Sequence, residues 1–146
     1  MSKRNLIVKA LAEKFREIDG TGPYETNLAN NSFAKLKFWD EVQDFPSVYV
    51  TPGMERREYL PADFAWGILH ICVKVYCKDE EFAQEKLETL LSDLETCIDS
   101  NRRLAYSLTS GYETTEILID SITTDEGLLA PFAVGEINLQ VRYQIM

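Results

Sequence analysis

The sequence is poor in the residues that most catalysis requires. It holds one histidine, His70, and three cysteines, Cys72, Cys77 and Cys97. A single histidine inside a strand-like pattern offers neither a nucleophile–base pair nor a histidine metal set. The cysteines are odd in number, lack Cys-x-x-Cys spacing and sit in apolar patterns. Buried thiols fit them better than a disulfide framework. Glycine is sparse, and Gly20-Thr21-Gly22 follows a predicted helix where a phosphate loop would open one. Gly-x-Ser-x-Gly, His-Glu-x-x-His and Walker patterns are missing. No apolar run approaches the roughly 18–20 residues of a membrane span. Lys9 and Glu13 interrupt what would be the apolar region of a signal peptide, so the chain is expected in the cytosol. There the sequon Asn30-Asn31-Ser32 would stay unmodified. Basic residues are also scarce, 15 against 24 acidic ones, for a net charge of −9. Such a chain does not seek nucleic-acid phosphates, which demand clustered Lys and Arg.

What is present fits one α+β domain over residues 1–146, with hydrophobic residues at 45% and charged residues at 27%. Residues 4–18 read as a helix with Leu6, Ile7, Ala10, Leu11, Phe15 and Ile18 on one stripe, ended by Gly20 and Gly22. Residues 33–38 alternate as a strand with Ala34, Leu36 and Phe38 on the apolar face. Residues 47–51 form another strand, which Pro52-Gly53 is expected to stop. A charged arm from Pro52 to Pro61 follows. Then comes a long strand, 63–77, with Leu69, Ile71, Val73, Val75 and Cys77 facing the core. Its other face, Ile68, His70, Cys72, Lys74 and Tyr76, is mixed and suits a surface covered only on assembly. A helix over about 80–98, capped by Asp79, buries Ala83, Leu87, Leu90, Leu91, Leu94, Cys97 and Ile98. Strands at 116–124 and 136–145 complete the sheet. In the last, Ile137, Leu139, Val141, Tyr143 and Ile145 alternate with polar residues. The predicted architecture is a mostly antiparallel sheet packed against two amphipathic helices, with a long hairpin or arm loop.

Charge is unevenly placed. From Asp79 to Asp99 there are eight acids and one base, a net of −7, whereas Lys3 to Asp19 carries five bases and three acids, a net of +2. A solvated helix face explains the acidic run; so does a surface that repels DNA or meets a basic partner.

The N-terminal helix, the block FPSVYVTPGMERREYLP, the strand ILHICVKVY, the helix LETLLSDLE and the ending TTDEGLLAPFAVGEINLQVRY together resemble the tail terminator (tail completion) proteins of long-tailed bacteriophages. The resemblance implies a structural virion protein with no catalytic residues, cofactor or metal. It implies a ring, commonly a hexamer, assembled in the host cytoplasm at the head-proximal end of the tail tube. That ring stops tube polymerisation and joins the head connector. Its partners would be other copies of itself, the tail tube protein, the connector or neck protein and, in contractile tails, the sheath. DNA would only pass through the channel, and no membrane is involved. Six copies at −9 each would carry −54, and acidic side chains lining part of the channel would keep DNA from sticking.

Two segments read as interface elements. The first is Met54, Glu55, Arg56, Arg57, Glu58, Tyr59 and Leu60, because Arg and Tyr favour interface centres. The second is Leu128, Leu129, Pro131 and Phe132, apolar residues placed directly after a turn. The alternatives are a solvated hairpin loop for the first and a loop folded over its own core for the second. Two other functions stay open: a neck or head-completion adaptor, and a small carboxylate-dependent hydrolase whose acids converge only in the fold.

Overall fold

Burying the apolar stripes of both helices on one side of a single sheet produces the architecture. The computed structural model describes residues 1–108 and 111–145. Helix α1 spans Lys3–Phe15, with the Ser2 hydroxyl accepting the Asn5 N–H at 3.2 Å as a cap. Strand β1 is Ser32–Phe33, β2 Ser47–Leu60, β3 Phe64–Lys78, α2 Ala83–Ser100, β4 Glu116–Thr124 and β5 Phe132–Gln144. The sheet order is β1-β2-β3-β5-β4, antiparallel throughout except for β1 beside β2. Both helices pack on one face. Ile7, Leu11 and Phe15 of α1 join Leu87, Leu90 and Leu94 of α2 over Val50, Leu69, Ile71, Val73, Ile137 and Leu139. Burial of each such side chain contributes about 1.5–3 kcal/mol.

The opposite face carries no helix. At one end the loop before β2 covers it, where Val42, Tyr49 and Tyr76 form a small second cluster and the Tyr76 hydroxyl donates to Lys37 O at 2.6 Å. Elsewhere His70, Cys72 and Lys74 lie half-buried on it.

Three local expectations fail. Pro52-Gly53 does not end β2, which continues to Leu60. The outer side of β2 pairs with β1 only at Val48 and Tyr49, so Pro52 sits on an edge where its missing N–H breaks no ladder bond. The register instead slips by one residue between Pro52 and Glu55. The predicted strand over 33–38 shrinks to Ser32–Phe33, and Leu36 and Phe38 are exposed. Asp79 accepts the N–H groups of Glu81 and Phe82, but α2 begins at Ala83.

Candidate functional site

The Met54–Leu60 segment, expected as a loop, is the outer half of β2 and forms an edge ribbon with the start of β3, which β5 flanks from Leu69 to Trp66. Glu55 opposes Leu69, Arg57 opposes Gly67 and Leu60 opposes Phe64. The turn at its tip puts Ala62 and Asp63 at φ 67° and 58°. The bulge decides which side chains face which way, because one extra residue inverts the alternation. Glu55, Arg57 and Tyr59 therefore take the helix side of the sheet, and Arg56 and Glu58 take the open side.

Each side is braced against β5. On the helix side the Tyr143 hydroxyl donates a hydrogen bond to Glu55, whose side chain is only 6% exposed, and Arg57 Nε stands 3.4 Å from its other oxygen. The Tyr143 ring crosses over Gly67, where a Cβ would stand 2.7 Å from ring atom Cε1. Glycine is thus required by space at that crossing. Burial first, and the Glu55 contact second, push the Tyr143 phenol above its ordinary pKa. On the open side Arg142 pairs with Glu58 at 3.1 Å and stacks over Trp66 at 5.1 Å. The arm is a fixed ribbon, with Met54, Tyr59 and Leu60 exposed along it.

The Leu128–Phe132 segment splits into two environments. The Asp125 carboxylate holds the turn by accepting the N–H groups of Leu129 and Val134, each at 3.0 Å, and the Gln84 amide at 2.9 Å. Burial opposes ionisation there, but these donors outweigh it and hold the carboxyl below its usual range. Phe132 folds back onto Trp39 and Phe45 at 5.5 and 5.7 Å between centroids, with Lys78 over its ring. Leu129 and Pro131 are half-buried, whereas Leu128 is 84% exposed. The two segments lie at opposite ends of the sheet, since β5 begins at Phe132 beside Lys78 and ends beside Trp66.

Sequence reasoning placed all acids of the second helix on its polar face, and Asp93 departs from this. It is buried at 4% and accepts the N–H groups of Glu25 and Thr26, clasping the 20–31 connection. Its position among Leu90, Leu94 and Cys97 on the apolar stripe is the sequence signal that marks it. The exposed aromatics Phe82 and Phe38 were also missed as surface features.

His70 is half-buried opposite Gln140 on the open face. Burial raises the Cys72 thiol to about 11, helped by the adjacent Glu136 carboxylate, and raises Cys77 to about 12. Neither is a ready thiolate. Among the described residues no three His, Cys, Asp or Glu side chains are grouped to hold a metal, and no helix is long and apolar enough to cross a membrane. An open cleft of about 560 Å³ lies beside α2, where Glu25 and Glu85 share the walls with Lys78 and Lys86.

Comparison with known proteins gives this geometry a context. The structure is similar to a chain in the virion of a native gene transfer agent particle, with a TM-score of 0.58 at 10% identity over 94% of each chain. That likeness concerns the fold. The tail tube terminator protein p142 of Escherichia phage T5 is 37% identical over 153 aligned positions, covering 99% of this chain and 95% of the relative. The family model described as bacteriophage tail tube terminator protein matches residues 1–146. The chain belongs to the bacteriophage tail tube terminator family.

Proposed function

We propose that this protein acts as one folded unit that assembles into a ring, a hexamer, at the head-proximal end of the phage tail tube. The ring stops tube polymerisation and supplies the joint to the head connector or neck protein. The protein becomes part of the virion after assembly in the host cytoplasm, and it performs no catalysis. The observation that carries this reading is the similarity to a tail tube terminator across 99% of the chain. The braced ribbon supports it: an edge strand with Met54, Arg56, Arg57, Tyr59 and Leu60 exposed is suited to contact a neighbour. Leu128 provides a second contact at the other end. DNA passes through the channel without specific binding, and exposed acids such as Glu85, Glu88 and Asp99 of α2 contribute to a surface that phosphates avoid.

Cryo-electron microscopy of this protein mixed with purified tail tubes tests the reading. The expected result is one ring on one end of each tube, with the ribbon or Leu128 at a subunit or tube contact. Tubes with both ends uncapped would refute it. Density confined to the head-side connector would favour a neck adaptor. A map with Lys and Arg ringing the lumen would remove the acidic-channel component.

A further inference from the structure

The sheet ends in two bare edges. Strand β1 covers the outer side of β2 only at Val48 and Tyr49, and β4 has β5 on one side and no strand on the other. Among the described residues no backbone hydrogen bond from elsewhere in the chain reaches the outer side of residues 54–60 or 116–124. Soluble proteins guard an open edge with Lys, Pro, a covering loop or a bulge. Residues 116–124 contain no Lys or Pro and have only the bulge, at Asp120. Leu118 and Ile122 are 39% and 36% exposed along them. On β2 the proline and the bulge come before Glu55, and residues 55–60 pair regularly with β3. Met54 and Tyr59 are largely exposed on that edge. Arg56 there and Asp120 on β4 are both exposed, and neither side chain has a hydrogen bond or ion pair within the chain.

Strand direction selects what can cover these edges. Strands β2 and β5 run one way, and β3 and β4 run the other. A copy set beside this one by rotation about an axis along the strands brings its β4 antiparallel to the bare edge of β2. That continues the alternation of the sheet. We infer that the partner of residues 54–60 is the 116–124 edge of a second copy, so that neighbouring subunits join by extending one sheet. This contact presupposes the ring proposed above and names the edges that close it. Arg56 and Arg57 then meet a strand whose only charges are Glu116 and Asp120. The acids of the ribbon itself, Glu55 and Glu58, are already held by Tyr143 and Arg142. Pairing β4 with β4 about a two-fold axis would instead line one seam with four acids and no base, and would leave the ribbon bare. The head-to-tail contact uses both edges of every subunit and leaves none open once the ring closes.

Photo-crosslinking on purified tail tubes that lack this protein tests the pairing. A benzophenone side chain replaces Tyr59 in one variant and Leu118 in another, both at exposed positions, so neither removes core packing. Each variant is added to tubes and irradiated, and intermolecular adducts are mapped by mass spectrometry. The Tyr59 probe is expected to join residues 116–124 of a second copy, and the Leu118 probe residues 54–60. In the unsubstituted protein, edge amides in both runs should exchange at least about ten-fold more slowly in the ring than in the dissociated subunit. Three results on capped tubes overturn the pairing and leave the terminator reading intact: a Tyr59 probe joined to the tube protein, one joined to residues 54–60 of another copy, or unchanged exchange at both edges. Tubes that the unsubstituted protein leaves uncapped overturn both.

Discussion

Replacing Tyr143 with Phe isolates the brace that holds the ribbon. The ring stays over Gly67, so packing is conserved, and only the phenol donor to Glu55 is lost. Glu55 is then left almost buried with Arg57 Nε at 3.4 Å as its remaining partner. A hydrogen bond to a charged group contributes about 1.5–3 kcal/mol, so the loss should be about 2 kcal/mol. For a chain of this size that lowers Tm by about 4–8 °C in calorimetry. Amide exchange should localise the effect, with residues 55–60 and 64–67 exchanging faster and α2 unchanged. Adding Glu55→Gln should cost less in the Tyr143→Phe background than in wild type, because the partner is already gone. A Tm within about 1 °C of wild type, together with unchanged exchange in the ribbon, would refute the claim that this contact braces it.

Asp93→Ala should lower stability by about 1–3 kcal/mol in urea denaturation, because the part-buried N–H groups of Glu25 and Thr26 lose their charged acceptor. Asp125→Ala should loosen the turn before β5, seen as faster amide exchange at Leu129 and Val134 with α1 unaffected. Gly135→Ala should destabilise by about 1–3 kcal/mol through overpacking, since a Cβ would stand 3.1 Å from a Leu87 methyl and 3.3 Å from one of Leu91. Alkaline titration should unfold the protein through its tyrosines. Burial raises Tyr24 and Tyr76 from 10 to about 12 in the fold. Above pH 10 the unfolded chain therefore holds fewer protons than the folded one. Their stabilising contribution is complete below pH 10 and is lost as pH rises toward 12, which tyrosinate absorbance alongside circular dichroism would follow.

Much of this fold is written in periodicity. The stripe read on the second helix, from Ala83 to Ile98, is the buried stripe of α2, and the alternating core residues of β3 and β5 are those of the sheet. The resemblance to phage tail terminators agrees with the family shown by comparison. The misreadings share one cause. Leu36 and Phe38 alternate like a strand but have no strand to pair with beyond Phe33, and alternation cannot report whether a partner is present. Phe132 looked free because it follows a turn, yet Trp39 and Phe45, distant in sequence, cover it.

The sequence by itself determined the elements that bury a regular apolar face, because a repeat of 3.6 or 2 residues leaves few other ways to remove that face from water. It also determined the acidic balance and the scarcity of catalytic groups. Tertiary structure decided what depends on neighbours far along the chain. Pro52 is harmless only because β2 is an edge strand there, and the bulge beside it turns Glu55 toward Tyr143, 88 residues away. Asp93 is buried only because the 20–31 connection brings two N–H groups to it.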